Sequence, residues 1–264
     1  MNKLLATSLA AVLTAAISHA APADDVKAAA KQLADAANYS WSTTNQNAGG
    51  GGGGGGFGGG PVSGMADKSG LTLITRETPN GSSQTARMGD KIAIQNQDGE
   101  WLTQEELFAQ FGGGRGGQAG AGRGPGGGRG PGGGRGGFGG FGGGANPSDE
   151  LVSLADAAKD LKMVDGAITG ALTDDALTQR LGRGGFGRGG GGGGQPPAAP
   201  TNASGTVKFW LKDGAVTKYE VHVKGTVQGR NGEQQVDRTT TTEIKNVGST
   251  KVDLPAGAKA KLGA

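Results

Sequence analysis

The residues with the most chemical potential in this 264-residue chain are carboxylates in adjacent pairs: Asp24–Asp25, Glu105–Glu106, Asp149–Glu150 and Asp174–Asp175. Two carboxylates at close range can divide acid and base roles between them. Each of these pairs opens a segment with helical periodicity, however, where a negative side chain stabilises the free N–H groups of the first turn. Capping is the expected role of all four. Histidine offers less. Of the two in the chain, His19 lies in the leader described below, and His222 sits on the polar parity of its segment with Glu220 and Lys224. A catalytic triad needs a partnered acid and nucleophile, and a zinc site needs several His or Cys ligands. An isolated surface imidazole is expected instead.

The chain has no cysteine. That excludes disulfides, thiol catalysis and thiolate metal sites, and it excludes a lipid-modified cysteine after the leader. Asp98–Gly99 resembles part of a calcium loop, but the loop signature would put its first ligand at Ile94, which has no oxygen to offer. No catalytic residue, metal or cofactor is expected.

Three glycine tracts, Gly49–Gly60, Gly112–Gly144 and Gly182–Gly194, hold 11, 22 and 10 of the 58 glycines. They match G-x-G-x-x-G trivially, without the strand before, the helix after and the ribose-binding acid that a dinucleotide site requires. Arg115, Arg123, Arg129, Arg135, Arg183 and Arg188 lie in the tracts, with Phe138, Phe141 and Phe186 nearby in sequence. Cations interleaved with aromatics can bind single-stranded nucleic acid. Six arginines without a sequence-reading fold, in a chain with an export leader, point away from nucleic acid. Contact between these arginines and an anionic envelope surface is the alternative expectation.

The formal net charge of +3 conceals an acidic remainder: setting aside the six tract arginines leaves −3, and removing Lys3 with the leader leaves −4. Any affinity for polyanions would therefore reside in the tracts. The leader itself, MNKLLATSLAAVLTAAISHAAPA, has one early cation, an apolar run and small residues before Ala20 and Ala23. It reads as a signal peptide cleaved near Ala20 or Ala23. Its apolar run is too short to span a bilayer, so no stable membrane span is expected after cleavage, and a periplasmic or secreted location is.

The remaining sequence, 24–262, reads as one domain interrupted by disordered loops at 49–60, 112–144 and 182–194. Glycine loses the most backbone entropy on ordering, and long insertions cost little because loop-closure entropy grows slowly with length. Helices are expected over Asp24–Ala37, from Thr103 with the capping box Thr103-Gln104-Glu105-Glu106 and Leu107, Phe108 and Phe111 on its apolar side, from Ser148 with Leu151, Leu154, Ala155, Ala158 and Leu161 on one stripe, and over a short segment after Thr173 carrying Leu177 and Leu181. Strands are expected at YSWSTT, LTLITRET and on both sides of Gly89–Asp90, with a turn at Asp98–Gly99. VDGAITGALT is expected as an extended link. GTVKFWLKDGAVTKYEVHVKGTV is a hairpin around Asp213–Gly214, TTTTEIKNV is a further strand, and STKVDLP is a last short one ended by Pro255. This is an α+β pattern: an antiparallel curved sheet, or half-barrel, whose apolar face the helices must cover.

The YSW start, the DGEW turn, the G-T-V-x-F-W-L-x-D-G…K-Y-E-V hairpin and the Thr-rich strand leading to V-D-L-P resemble the Lol-type periplasmic lipoprotein carriers and related secreted lipid-binding proteins. The resemblance is strongest over Gly205–Pro255, weaker over Ala36–Thr103, and covers about half of the chain after the leader. It implies an open sheet whose helix-covered face takes up an acyl chain of a lipid or lipoprotein, without covalent chemistry. The inward positions would fall on Tyr39, Trp41, Leu73, Ile92, Ile94, Phe209, Leu211, Tyr219, Val221 and Val223. The chain departs from the family in its long glycine insertions, and no residue in it is matched to the family's polar latch between sheet and helices.

Overall fold

The computed structural model describes residues 21–48, 60–78, 81–112, 146–182, 199–229 and 232–264. The leader through Ala20, and the six tract arginines with nearly all of the tracts around them, lie outside the described residues. The chain opens with α1 (Pro22–Asp35). Six strands follow: β1 (Asn38–Asn47), β2 (Val62–Asp67), β3 (Leu71–Thr78), β4 (Gly81–Met88), β5 (Lys91–Gln95) and β6 (Trp101–Thr103). Then come α2 (Gln104–Gly112), α3 (Pro147–Asp156), β7 (Ala158–Val164), β8 (Ala167–Leu172) and α4 (Asp174–Gly182). The last elements are β9 (Thr201–Lys212), β10 (Ala215–Gly229), β11 (Gly232–Lys245) and α5 (Ala256–Leu262).

All eleven strands join one antiparallel sheet in the order β6-β5-β4-β3-β2-β1-β11-β10-β9-β8-β7. The sheet is curved and unclosed, with β6 and β7 as its edges. Every neighbouring pair is consecutive in the chain except β1–β11, which brings the first and last strands together in the middle of the sheet, and β8 reaches β9 through α4. The expected α+β class with helices over an antiparallel sheet is therefore the observed one.

Side-chain alternation divides the sheet into two faces. On one, α1, α3 and α4 pack over β8–β11 and β1, burying Val26, Leu33, Leu151, Leu154, Leu177 and Leu181 against the strands. On the other, α5 packs on β4–β6 and closes a smaller cluster of Leu73, Ala86, Ala93, Trp101, Leu254 and Leu262.

Several elements differ from the sequence expectation, among them β6 and α5, for which no element is expected. The helix expected to run through Ala158 and Leu161 stops at Asp156, and those residues belong to β7. The cause is a second two-residue hairpin turn: Asp165 and Gly166 have φ of 49° and 77°, the same left-handed pair as Asp213 and Gly214 at 52° and 78°. What reads as an extended link is β8, and the turn folds the preceding segment back onto it. VSGMAD, unassigned from sequence, forms β2. Its alternation is blurred because Ala66 is buried on the α1 side and Met65 packs on the α5 side. Finally, 249–255 is not a strand. Thr250 N–H bonds the Asn38 side chain at 2.7 Å, and Pro255 precedes α5, which ends on the left-handed Gly263.

Candidate ligand-binding face

The inner face is built row by row across the strands. One row runs Ile168, Phe209, Tyr219, Thr242, Thr43. A second runs Ile244, Trp41, Gly64, Ile74, Thr85, Ile94. Of the ten positions expected to point inward, Tyr39, Trp41, Phe209, Tyr219, Val221 and Val223 lie together in the large core and are buried, while Leu211 is half-buried against it. Ile92 and Ile94 share this face by register but are only half-buried, out towards the β6 edge. Leu73 corrects the expectation. It pairs with Met65 and Ala86 and lies on the opposite face, in the α5 cluster. The strand Leu71–Thr78 is covered on both sides, and alternation alone does not tell which of its two apolar sets faces which layer.

Aromatic side chains fill the middle of the face. The Tyr39 and Trp41 rings lie 5.7 Å apart at a tilt of 43°, and the Trp41 indole lies over Gly64. Glycines also admit α4: a Cβ on Gly205 would stand 2.7 Å from Leu177 Cδ2, and one on Gly225 would stand 2.9 Å from Leu181 Cδ1. The two leucines of α4 thus seat in gaps left by two strand glycines. Two surface depressions lie away from this face. One flanks α1, beside Ala28, Gln32, Ala36 and Val247, and one lies beside α3 and α4, near Val152, Asp156, Thr173 and Gln179.

Polar groups pin the helices to this face. The Tyr219 hydroxyl donates to Glu150 Oε2 at 2.8 Å, and Arg180 Nη2 donates to Glu150 Oε1 at 3.1 Å. Arg238 Nη2 donates to the Arg180 backbone carbonyl at 3.1 Å. Thr43 and Thr242 share a hydroxyl hydrogen bond of 3.0 Å, and Thr240 donates to Asn45 at 2.7 Å. The Tyr39 hydroxyl donates to the Asn146 side chain just before α3. Burial first, then the Glu150 charge, pushes the Tyr219 hydroxyl well above the ordinary tyrosine value. Tyr39 is raised too, chiefly by burial. Both phenols stay protonated near neutral pH and act as donors rather than bases.

Glu150 was expected only as a helix-end charge. It does stand in the first turn of α3, but its carboxylate serves Arg180 on α4 and Tyr219 on β10. Arg238 belongs to none of the sequence motifs, yet it leaves a signal. Extending the inward parity of β11 from Ile244 through Thr242 and Thr240 lands on Arg238, a cation on an apolar parity. The Thr103 capping box forms as expected, with Glu106 N–H to Thr103 Oγ1 at 3.2 Å and Thr103 N–H to Glu106 Oε2 at 2.8 Å. His222 lies on the outer parity, half-exposed, with Nε2 2.8 Å from Asp237 Oδ1.

The fold and its covered face define an α+β protein built on one open antiparallel sheet. In overall shape it is similar to the crystal structure of the lipoprotein LppX of Mycobacterium tuberculosis, with a TM-score of 0.42 and 8% identity, over 88% of this chain and 98% of that one. It is similar also to LprF of Mycobacterium bovis, with a TM-score of 0.41 and 10% identity, over 90% and 97%. No protein-family model and no curated protein matches the sequence. Among the described residues no helix is long and apolar enough to cross a membrane.

Proposed function

We propose that this chain is an exported, non-enzymatic binding protein that holds an acyl chain or another apolar ligand between the curved sheet and its helices. The observation that carries this reading is the construction of the inner face. Tyr39, Trp41, Phe209, Tyr219, Val221 and Val223 form one continuous apolar surface on an unclosed sheet, under short helices rather than a second sheet. α3 joins the sheet through β7 at one end and leads into a glycine tract at the other. α4 does the same through β8. Binding would lift or slide this cover and replace helix–sheet contacts with ligand–sheet contacts. No covalent step is involved.

The test is extraction of the purified protein with organic solvent and mass spectrometry of the extract, followed by titration with a fluorescent fatty acid. A co-purifying lipid or saturable binding supports the reading. Absence of both overturns it.

A second reading is favoured by the tight seating of Leu177 and Leu181 against Gly205 and Gly225. In it the same face is a permanent core, and the domain is an envelope scaffold whose tract arginines, Arg115 to Arg188, contact anionic partners. Deleting Gly112–Gly144 tests it, read beside the lipid assays: lost envelope association in a protein that binds no fatty-acid probe supports the scaffold reading, and unchanged localisation and partner pull-downs make the tract a spacer.

A further inference from the structure

The polar cluster on the inner face is not neutral. It holds two guanidiniums, Arg180 and Arg238, around one carboxylate, Glu150, whose two oxygens are occupied by Arg180 and the Tyr219 hydroxyl. Arg238 stands on the inner parity of β11, opposite Val223 on β10 and Asn47 on β1. It is half-buried, and among the described residues it has no ion-pair partner. One of its nitrogens donates to the Arg180 carbonyl near the end of α4. A guanidinium carries five N–H donors in a planar fork matched to carboxylate and phosphate oxygens, so among the described residues most of the fork is uncommitted. Burial, and after it the neighbouring Arg180 charge, holds Arg238 below the ordinary arginine value. A half-buried cation beside a second cation is a place where an incoming anion relieves repulsion as well as forming hydrogen bonds.

The surroundings grade from polar to apolar. Beside Arg238 on the same face are Asn45, Asn47 and Thr240, and further along the strands lie Val221, Trp41 and Tyr219. An amphiphile laid on this face would meet hydrogen-bonding groups at one end and aromatic rings along its chain.

We infer that Arg238, assisted by Arg180, is an oxyanion site at the polar end of the inner face, and that the ligand's headgroup is a carboxylate or a phosphate. This rests on the apolar-ligand reading above and names the headgroup for it. The cover helix α4 is thereby tied to the ligand site: one nitrogen of the Arg238 guanidinium holds the Arg180 carbonyl, and the remaining donors are those that would meet the anion.

The test compares three probes of equal chain length on the full chain after its leader: dodecanoate, dodecyl phosphate and dodecanol. At least one anionic probe should bind about tenfold more tightly than dodecanol, the scale of a charge-assisted hydrogen bond, and the tighter of the two names the headgroup. Arg238→Gln, which still offers an N–H to the Arg180 carbonyl, should reduce that ratio to near one, and Arg238→Lys should restore part of it. The Arg238 side-chain N–H resonances in the unmodified protein should shift with the anionic probe and not with dodecanol. Equal binding of all three probes, or a ratio unchanged by Arg238→Gln, overturns the headgroup site and leaves the apolar-ligand reading standing. Binding of none of the three overturns that reading, and the headgroup site with it.

Discussion

Glu150, in the first turn of α3, accepts the hydroxyl of Tyr219, in the middle of β10, at 2.8 Å. This contact ties a covering helix to a central strand through a polar pair set among apolar neighbours. Tyr219 is 2% exposed, so its hydroxyl depends on Glu150. Tyr219→Phe removes the donor and leaves Glu150 with Arg180. It should lower stability by about 1.5–3 kcal/mol, as for a hydrogen bond to a charged group. Glu150→Ala leaves both Arg180 and the tyrosine without their acceptor and should cost more, about 3 kcal/mol or above. Urea unfolding of the two single variants and the double variant measures the coupling. A coupling near zero would show that the contact does not hold α3 to the sheet.

Gly64 is required by Trp41. A Cβ at Gly64 would sit 2.1 Å from the indole Cζ2, a separation no packing can accept without moving the ring. Trp41 cannot move freely, because Tyr39 stacks beside it and Ile244 pairs with it across the strands. Gly64→Ala should therefore destabilise by about 1–3 kcal/mol, the usual cost of overpacking, and should alter near-ultraviolet circular dichroism through the displaced indole. Gly81, which has nothing within 4 Å of its Cβ position but a φ of +122°, is the contrasting site. Gly81→Ala should strain the backbone and leave the aromatic signal unchanged.

Where a single signal decides an element, the sequence is easy to read. Asp213–Gly214 announces a hairpin because two successive left-handed residues suit few other contexts, and the Thr103 capping box announces α2 for a similar reason. The same rule at Asp165–Gly166 was outweighed by the helical stripe Leu151–Leu154–Ala155–Ala158–Leu161, of which only the first three residues are helical. Parity arguments hold where one face is wet, as in β10 with Tyr219, Val221 and Val223 inward. They fail for Leu73, because α5 covers the far side of that strand and both of its faces are apolar. The cluster of Glu150, Arg180, Tyr219 and Arg238 is drawn from four elements, and no local pattern links residues 19 to 88 positions apart. Only Arg238 leaves a trace, as a cation on an inward parity.

The capping box at α2 carries a pH dependence. Glu106 accepts from Lys261 of α5 at 2.6 and 2.7 Å and from the Thr103 N–H at 2.8 Å. The Lys261 hydrogen bond, and then the backbone one, lowers its pKa from the ordinary 4.5. A carboxyl lowered in the folded state stabilises above its unfolded value and loses that contribution as pH falls through the folded one. The link from α2 to α5 should thus be complete at neutral pH and disappear on acidification below the ordinary glutamate range. Thermal unfolding followed from pH 7 down to about pH 3 should show a steeper acid limb for the wild type than for Glu106→Gln. Lys261→Gln should flatten the limb only in part, since the backbone hydrogen bond remains. Identical limbs for wild type and Glu106→Gln would rule the effect out.

The C-terminal helix tests whether the second face of the sheet matters. Ala258 and Leu262 are fully buried against Leu73, Ala86, Ala93 and Trp101, and Gly257 lets α5 approach the Trp101 ring so closely that a Cβ there would stand 2.5 Å from Cδ1. Among the described residues α5 packs chiefly on β4, β5 and β6, in a cluster separate from that of the inner face. Leu262→Ala should therefore cost about 2–5 kcal/mol, as for a buried leucine, and red-shift the emission of Trp101. Deleting 255–264 should do so more strongly. If ligand uptake takes place on the inner face, the milder variant should retain its affinity for a fatty-acid probe at temperatures where it remains folded, while Trp41→Ala should lose it. Loss of binding in Leu262→Ala below its unfolding transition would place the ligand on the α5 side instead. Both variants remove buried apolar surface, and their opposite expected effects on binding, read with Tm and fluorescence in the same samples, separate the supporting layer from the face that meets ligand.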